Sequence, residues 1–172
     1  MGVITLITGG ARSGKSTYAL QLARGYQRKI FVATGQALDS EMAARIEFHR
    51  ETRPSDFETV EEPVEIVVEL DKLKARADVV VLDCLTLWMS NLMENCATDG
   101  PILEEADRLA QTLRRAAFAS IVVTDEVGSG IVPTDHAASR RFRDLLGWTN
   151  QKIAAVADEV TLMVAGYPLK VK

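Results

Sequence analysis

Short apolar runs in this chain alternate with stretches whose apolar positions recur every three or four residues. Residues 79–82 are all apolar, as in a strand that is covered on both faces of a sheet. Strands are predicted at residues 3–8, 30–33, 79–84, 121–124 and 160–165. Helices are predicted at residues 15–24, 40–50, 64–75, 102–117 and 137–156, the last with a bend at Gly147. The alternation predicts a mostly parallel α/β sheet with helices on both faces.

Two turn signals interrupt this pattern. Gly166-Tyr167-Pro168 predicts a turn, after which residues 169–171 return as an antiparallel edge strand at the C-terminal end. Asp99-Gly100-Pro101 predicts a loop rather than a domain boundary. Because the chain has 172 residues and no linker, we expect a single domain over residues 1–172.

Composition and charge narrow the class of protein. The net charge is −4 and no strongly basic run occurs, so nothing in the sequence indicates nucleic-acid binding. The apolar runs are far shorter than the roughly 20 residues of a membrane-spanning helix, and the first residues form a strand pattern rather than a leader. We therefore expect no membrane span, and cytoplasmic residence by default. Cys84 and Cys96 lack metal-binding spacing, which predicts reduced structural thiols.

The most specific motif follows the first predicted strand. Residues 9–16 read Gly-Gly-Ala-Arg-Ser-Gly-Lys-Ser, the pattern of a phosphate-binding loop. Glycines let backbone N–H groups curl around phosphate oxygens, and the following helix directs its positive end at the same anion. Lys15 would lie near the β- and γ-phosphates, and the Ser16 hydroxyl would bind Mg²⁺. The alternative, a glycine turn between strand and helix, has no use for a lysine and a serine after its last glycine.

Asp83 ends the apolar run at residues 79–82. A carboxylate at the carboxyl end of a buried strand can reach the metal beside a phosphate loop. Asp83 is therefore a candidate second Mg²⁺ anchor, directly or through water. The alternative role is an N-cap for a helix that begins after Cys84.

His49 is one of only two histidines in the chain. If a helix continues to residue 53, Arg45, His49 and Arg53 are spaced i, i+4, i+8 and share one face. An imidazole between two guanidinium groups suits an anion, and a neutral histidine is a competent nucleophile toward phosphorus. Spacing alone leaves open the alternative of a solvated helix face with an incidental histidine.

A glycine-rich loop follows the strand at residues 121–124. Residues 125–133 read Asp-Glu-Val-Gly-Ser-Gly-Ile-Val-Pro, which is longer than a minimal connection. This loop is a candidate to close over a substrate, and the alternative is a loop with solvated carboxylates. Trp88 and Trp148 are predicted to be packing residues on helices rather than a cofactor platform.

Together these segments resemble the bifunctional adenosylcobinamide kinase and adenosylcobinamide-phosphate guanylyltransferase family of cobalamin biosynthesis. The resemblance runs nearly end to end and is far more specific than a phosphate loop. It is carried by residues 8–16, 33–34, 39–49 with the core Glu-Met-Ala-Ala-Arg-Ile, 53–54, 126–128, 130–133, 142–144, 150–151 and 157–160. Two positions depart from the family pattern, since Asp125 stands where members can have Asn and Asp83 where they can have Glu.

The resemblance implies two transfer reactions on one substrate. A nucleoside triphosphate, GTP or ATP, gives its γ-phosphate to the aminopropanol hydroxyl of adenosylcobinamide. GTP then gives GMP to this new phosphate through a guanylylated histidine, which releases pyrophosphate and forms adenosylcobinamide-GDP. His49 matches that histidine.

The resemblance also implies site residues and an architecture. Lys15 and His49 would be catalytic, and Ser16 and Asp83 would hold Mg²⁺. The fold would be a RecA-like P-loop NTPase, assembled as a homotrimer. The nucleotide would contact Thr8, Gly9, Gly10, Ala11, Arg12, Ser13, Gly14, Lys15, Ser16, Ala33, Thr34, Gly35, Arg50, Glu51, Thr52, Arg53, Glu61 and Asp83.

Two other functions fit the phosphate loop and fold alone. Another P-loop small-molecule kinase would phosphorylate an acceptor, with His49 in a structural role, and would never hold GMP covalently. A nucleotide-dependent binding or regulatory module would hydrolyse nucleotide slowly and show no acceptor-dependent turnover.

Overall fold

A seven-stranded sheet forms the centre of the computed structural model, which describes residues 2–172. The strands are β1 (Ile4–Gly9), β2 (Lys29–Ala33), β3 (Phe57–Glu61), β4 (Val79–Asp83), β5 (Ala119–Val123), β6 (Glu159–Val164) and β7 (Tyr167–Lys170). They lie in the order β3-β2-β4-β5-β1-β6-β7. All neighbours pair in parallel except β6 and β7, which are antiparallel. The predicted parallel sheet with an antiparallel C-terminal edge strand is confirmed.

The helices lie between these strands. They are α1 (Lys15–Leu22), α2 (Ser40–Thr52), α3 (Ile66–Leu73), α4 (Leu85–Asn95), α5 (Asp99–Arg115) and α6 (Ala137–Val156), with a short 3-10 turn at Ala23–Gly25. Within the described part of the chain, none of the helices has the length and apolar character needed to cross a membrane.

Alternating side chains on the central strands divide the core into two layers. Val80 and Leu82 of β4 belong to the layer that contains the buried residues of α3, α4, α5 and α6. Val79 and Val81 belong to the opposite layer, to which α1 contributes Ala19. Helices therefore cover both faces, as predicted, with four on one side and α1 on the other.

The edge strand β3 was not predicted from the sequence. Phe57 at its start is buried and Val60 is half-buried, but the other three side chains are exposed. A strand at the edge of a sheet needs little apolar surface, so no continuous apolar run marks it. The polar residues of β3 therefore give no strand pattern in the sequence.

Two predicted turns are wrong in their bounds. Tyr167 and Pro168, predicted in a turn, belong to β7, and the turn lies at residues 165–166. Asp99, Gly100 and Pro101, predicted as a loop, form the first turn of α5. An acidic side chain is favourable at a helix N-terminus, and proline is tolerated in the first turn because the N–H it lacks has no intrahelical partner. The predicted bend at Gly147 does not interrupt α6, which is a single helix.

The two tryptophans have different environments. Trp88 of α4 is fully buried and donates its Nε1–H to Val64 O at 2.8 Å. The packing role predicted for Trp88 is confirmed. Trp148 of α6 is 46% exposed, so the same prediction is wrong for that residue.

Three neighbouring strands bring the chemically important groups to one edge of the sheet. The phosphate-loop motif begins at the end of β1, Asp83 is the last residue of β4, and Asp125 follows β5. Strand β5 lies between β4 and β1. Because parallel strands end at the same edge, the loop and the two carboxylates are brought together there.

Candidate active site

The phosphate-loop motif forms the connection between β1 and α1. Gly9 has a φ of 149° and Gly14 a φ of 95°, conformations that favour glycine. A Cβ atom on Gly9 would lie 2.6 Å from Met163 O, so a side chain does not fit at this position. Helix α1 begins directly after the loop, at Lys15. The geometry is that of an anion-binding loop at a helix N-terminus.

Lys15 is held at this loop by two oxygen atoms. Its Nζ donates to Gly10 O at 2.7 Å and lies 2.6 Å from Asp125 Oδ1. The side chain of Lys15 is 9% exposed and that of Asp125 is 26% exposed. The sequence indicated Lys15 as a phosphate ligand but not this partner. The ammonium group is therefore already paired with a carboxylate.

Asp83 and Ser16 lie side by side in the same site. Burial raises the pKa of Asp83 above its usual value, while a hydrogen bond from the Ser16 side chain and the charges of His49 and Lys15 act in the opposite direction. The charge of Asp125 adds to the increase. A hydroxyl and a carboxylate oxygen are thus adjacent, and oxygen is the ligand type that Mg²⁺ prefers.

Protein side chains would supply only some of the ligands of a bound metal ion. Among the residues that the structure describes, no group of three or more His, Cys, Asp or Glu side chains could hold an ion. Mg²⁺ usually keeps several waters and binds through one or two carboxylates together with substrate phosphates. The pair of Ser16 and Asp83 fits that mode of binding.

The backbone on both sides of the Asp125 side chain is fixed by helices. Its N–H donates to Thr86 Oγ1 of α4 at 2.9 Å, and its carbonyl accepts from Asn150 Nδ2 of α6 at 3.1 Å. Thr124, fully buried, donates its hydroxyl to Asn150 Oδ1 at 2.7 Å. The position of the Asp125 carboxylate is therefore set by β5, α4 and α6 together.

Glu126 closes a tight turn in the loop after β5. Its carboxylate accepts from the N–H groups of Gly128 at 2.8 Å and Ser129 at 3.0 Å, and its own N–H donates to Gly9 O at 3.1 Å. Partial burial acts to raise the pKa of Glu126. Hydrogen bonds from Ser129 and Gly128 and the charge of Arg143 outweigh burial, so the pKa lies below its usual value. Glu126 is thus a structural anchor that ties this loop to the phosphate loop.

Two arginines of α6 hold the outer part of the same loop. Arg143 Nη2 donates to Gly128 O at 2.6 Å, and Arg140 Nη1 donates to Pro133 O at 2.8 Å. Between these contacts, Ile131 is 97% exposed. Closure of the loop over a substrate stays a prediction.

Thr34 fixes the end of β4. Its hydroxyl donates to Cys84 O and accepts from Cys84 N–H, and its own N–H donates to Asp83 O at 3.1 Å. Each polar atom of the fully buried Thr34 has a protein partner, since its carbonyl accepts from Asn91 Nδ2 at 2.8 Å. These bonds position Asp83, and the contact predicted between Thr34 and nucleotide stays a prediction.

Asn91 supports the segments next to the site and was not predicted from the sequence. It is 4% exposed, and its Nδ2 donates to both Thr34 O and Pro63 O at 2.8 Å. It therefore ties the segments after β2 and β3 to α4. The signal for it was an asparagine within the apolar pattern of residues 85–92, because a buried polar side chain needs hydrogen-bond partners.

Gly35 gives α2 room to approach the sheet. A Cβ atom on Gly35 would lie 3.4 Å from Leu87 Cδ1 and 3.5 Å from Ile46 Cδ1. Ile46 therefore packs over residue 35, and α2 lies against the carboxyl end of β2.

His49 lies in the last turn of α2, on the exposed side of the molecule. Its charge acts on Asp83 and favours the ionised carboxylate, so the imidazole is within electrostatic reach of the phosphate-loop site. Arg45, four residues earlier, lies on the same side of α2. Arg53 lies beyond the end of the helix in extended backbone. The predicted helical face of three residues is therefore wrong for Arg53.

A cavity of about 310 Å³ lies beside the end of α2 and β3. It is lined by Arg50, Arg53, Pro54, Ser55, Phe57, Thr59 and Glu61. Arg50 Nε donates to Glu61 Oε1 at 3.0 Å, and Arg53 Nη1 donates to Thr59 Oγ1 at 2.6 Å. The Arg53 guanidinium also lies 3.6 Å from the centre of the Phe31 ring. Three of the predicted nucleotide ligands, Arg50, Arg53 and Glu61, thus share one cavity.

The charge of Asp83 acts on a residue of this cavity as well as on the phosphate-loop site. Burial lowers the pKa of Arg53, and the charge of Asp83 acts in the opposite direction. The same carboxylate accepts a hydrogen bond from Ser16. Asp83 is therefore within electrostatic reach of both the cavity and the phosphate loop.

Other predicted residues lie outside the cavity. Glu51 is exposed, and Thr52 Oγ1 donates to Phe48 O at 2.8 Å within α2.

Burial, together with the charge of Asp83, raises the pKa of the Cys84 thiol to about 12. This thiol therefore stays protonated at neutral pH and is not a nucleophile.

Comparison with known proteins extends the similarity over the whole chain. Residues 5–171 match the family described as cobinamide kinase / cobinamide phosphate guanyltransferase. The bifunctional adenosylcobalamin biosynthesis protein CobU of Salmonella typhimurium is 39% identical over 184 residues, covering 99% of this chain and 100% of that protein. The protein of the same name from Escherichia coli is 40% identical over 187 residues, with 99% and 100% covered. CobP of Pseudomonas aeruginosa is 39% identical over 168 residues, with 97% and 96% covered.

A solved structure shares the fold. The crystal structure of the RadB recombinase superposes with a TM-score of 0.54 at 21% identity, covering 94% of this chain and 74% of that chain. This likeness concerns the fold alone, and it agrees with the predicted P-loop NTPase architecture.

Proposed function

Because the chain belongs to the cobinamide kinase / cobinamide phosphate guanyltransferase family, we propose that it catalyses both reactions of that name. It phosphorylates the aminopropanol hydroxyl of adenosylcobinamide and then transfers GMP from GTP to the product. The observation that carries this proposal is the family match, which extends over residues 5–171. The electrostatic effect of His49 on Asp83, beside Ser16, supports it.

In the kinase reaction, the substrate hydroxyl oxygen forms a bond to the γ-phosphorus of GTP or ATP. The bond between that phosphorus and the β,γ-bridging oxygen breaks, the nucleoside diphosphate leaves, and the hydroxyl proton passes to solvent. Lys15 and the N–H groups of residues 9–16 stabilise the negative charge on the phosphates. Mg²⁺ bound with the nucleotide would be held by Ser16 and Asp83, and it neutralises charge on the transferred group.

In the nucleotidyl reaction, a ring nitrogen of neutral His49 attacks the α-phosphorus of GTP. The new N–P bond replaces the bond to pyrophosphate, and the histidine then carries GMP. A phosphate oxygen of adenosylcobinamide phosphate attacks the same phosphorus, which restores His49 and forms adenosylcobinamide-GDP. The histidine thus divides one transfer into two displacements at phosphorus.

The cavity beside β3 is the proposed guanine site. Its volume of about 310 Å³ suits a purine base, and Arg50, Arg53 and Glu61 offer charged hydrogen-bonding groups. A carboxylate such as that of Glu61 can accept from the N1–H and N2–H₂ groups of guanine. Adenine presents a different donor pattern, so this contact would favour GTP.

Labelled GTP tests the proposal. The protein is incubated with Mg²⁺ and GTP labelled at the α-phosphate, then denatured and analysed by intact mass and label. The expected result is one acid-labile, alkali-stable GMP adduct that is absent in His49→Ala and present in the control His136→Ala. His49→Ala should keep kinase activity. Absence of the adduct from the unmodified protein would contradict the nucleotidyl reaction and leave a kinase or a nucleotide-binding module.

The assembly and location are also proposals. We propose one catalytic domain over residues 1–172, on the strength of the chain length, and residence in the cytoplasm as the default. The family resemblance supports assembly as a homotrimer. Sedimentation equilibrium would test the trimer, for which a mass three times that of the chain is expected. A monomeric mass at micromolar concentration would contradict it.

A further inference from the structure

We propose that Asp125 is a resident counter-ion of Lys15, and that nucleotide phosphates must displace it to bind. The inference rests on the proposed function, which makes Lys15 a phosphate ligand. It adds a role for a carboxylate that the two reactions do not otherwise use. Binding of nucleotide at this loop is then an exchange of one anion for another.

The Lys15–Asp125 ion pair is held in place by the fold and is not a chance contact on the surface. Lys15 Nζ and Asp125 Oδ1 are 2.6 Å apart, and both side chains are largely shielded from water. The backbone of Asp125 is fixed through Thr86 and Asn150, so its carboxylate is presented to Lys15 by the fold. Ionic interactions in such a shielded site are stronger than those on an open surface.

The carboxylate is bound to the ammonium group that a phosphate would use. Lys15 Nζ is also bonded to Gly10 O, inside the loop whose N–H groups would surround the phosphates. A phosphate oxygen that bonds to Nζ would therefore lie next to Asp125 Oδ1 among the acceptors around the ammonium group. Two anions in these positions repel each other, so the phosphate either displaces Asp125 or binds against its charge.

Asp83 makes this competition more severe. The charges of Lys15 and Asp125 both act on the Asp83 carboxylate, so a second negative charge lies near the pair. A nucleotide without metal adds more negative charge to this cluster. A divalent ion on the nucleotide reduces the repulsion, so Asp125 makes binding more dependent on metal.

Re-pairing would assist release of the spent nucleotide. After the γ-phosphoryl group has left, fewer anionic oxygens compete for Lys15, and Asp125 can return to it. The carboxylate would thus limit the affinity for the nucleoside diphosphate, which must leave before the next triphosphate binds.

Calorimetric titration with GTP and with GDP tests the proposal, each in EDTA and in Mg²⁺. Asp125→Asn keeps the shape of the side chain and an oxygen that can still accept from Lys15, so folding should be preserved. We expect Asp125→Asn to bind both nucleotides at least tenfold more tightly in EDTA, with a smaller difference between EDTA and Mg²⁺. Asp135→Asn, which removes the same charge from the exposed end of the same loop, should bind like the unmodified protein.

The outcomes separate this inference from the proposed function. Equal or weaker binding by a folded Asp125→Asn would overturn the counter-ion role, because Asp125 would then be neutral or helpful to binding. An equal gain in Asp135→Asn would also overturn it, since net charge alone would explain the effect. Failure of the unmodified protein to bind either nucleotide in Mg²⁺ would instead contradict the proposed function. Circular dichroism and the thermal midpoint check that each variant is folded.

Discussion

The hydroxyl of Thr34 is bonded to both polar backbone groups of Cys84. It donates to the carbonyl oxygen at 2.7 Å and accepts from the N–H at 2.9 Å. Cys84 directly follows Asp83, so this buried hydroxyl sets the position of the carboxylate beside the phosphate loop. Thr34, which was predicted to contact nucleotide, thus holds the backbone next to Asp83.

Thr34→Val should weaken both the fold and the site. Valine has nearly the shape of threonine but leaves the N–H and carbonyl of Cys84 without these bonds. We expect the free energy of unfolding to fall by about 2 kcal/mol, as measured by urea denaturation. Thr34→Ser keeps the hydroxyl and should lose about 1 kcal/mol or less, the cost of one methyl group. Equal stability of the two variants would contradict a role for the hydroxyl.

Lys15→Ala should impair both reactions. The ammonium group is proposed to stabilise phosphate charge in the kinase step and in GMP transfer, so both rates should fall on the order of 10²-fold. Initial rates with cobinamide and with cobinamide phosphate measure the two steps separately. Lys72→Ala, which removes an exposed lysine paired with Glu69, is the control and should leave both rates unchanged. A loss confined to one step would argue against a shared phosphate site.

Glu61→Gln should reduce the preference for guanine. The carboxylate is proposed to accept two hydrogen bonds from the base, and bonds to a charged group contribute about 1.5–3 kcal/mol each. We therefore expect the ratio of ATP to GTP dissociation constants to fall by about tenfold or more. Glu58→Gln is a matched control, because Glu58 lies on the same strand and is also paired with an arginine, Arg76. An unchanged ratio in Glu61→Gln would place the base elsewhere.

Glu126→Gln should change how stability depends on pH. The folded protein holds the pKa of Glu126 below its usual value of 4.5, because hydrogen bonds to the carboxylate outweigh partial burial. Its stabilising contribution is therefore present above the usual pKa and is lost as the pH falls through the lowered one. The substitution should cost about 1 kcal/mol at neutral pH and progressively less in acid.

Thermal unfolding of both forms between about pH 7 and pH 3 would measure this difference. Glu104→Gln, an exposed change on α5, serves as the control and should show no pH-dependent difference. If the difference in thermal midpoint between Glu126→Gln and the unmodified protein were constant across this range, the carboxylate charge would not be the cause of the lost stability.

The central strands were predictable because burial on both faces leaves little choice of side chain. Residues 79–82 point alternately to the two covered faces of the sheet, so all four are apolar. The phosphate-loop motif indicates a strand directly before it. Strand β3 escaped prediction because it lies at the edge and buries only Phe57 fully. Its position matters, since Thr59 and Glu61 of this strand line the cavity.

The site was predictable where a motif fixes local geometry and less so where distant segments meet. Lys15 belongs to a contiguous motif, but its partner Asp125 comes from a loop 110 residues away in the sequence. The role of Asn91 depends on carbonyl groups of two other segments. Arg53 was placed on the helical face because residue spacing does not show that α2 ends at Thr52.

Helix α2 differs from the other long helices in how little of it is covered. Every residue of α2 is at least partly exposed, and a hydrogen bond from Met42 N–H to Asp39 Oδ1 caps its N-terminus. Little apolar surface would be exposed if this helix opened, so its amide hydrogens should exchange through local fluctuations rather than through global unfolding. The proposed nucleophile therefore lies on a helix that can be rearranged at low free energy while the sheet stays intact.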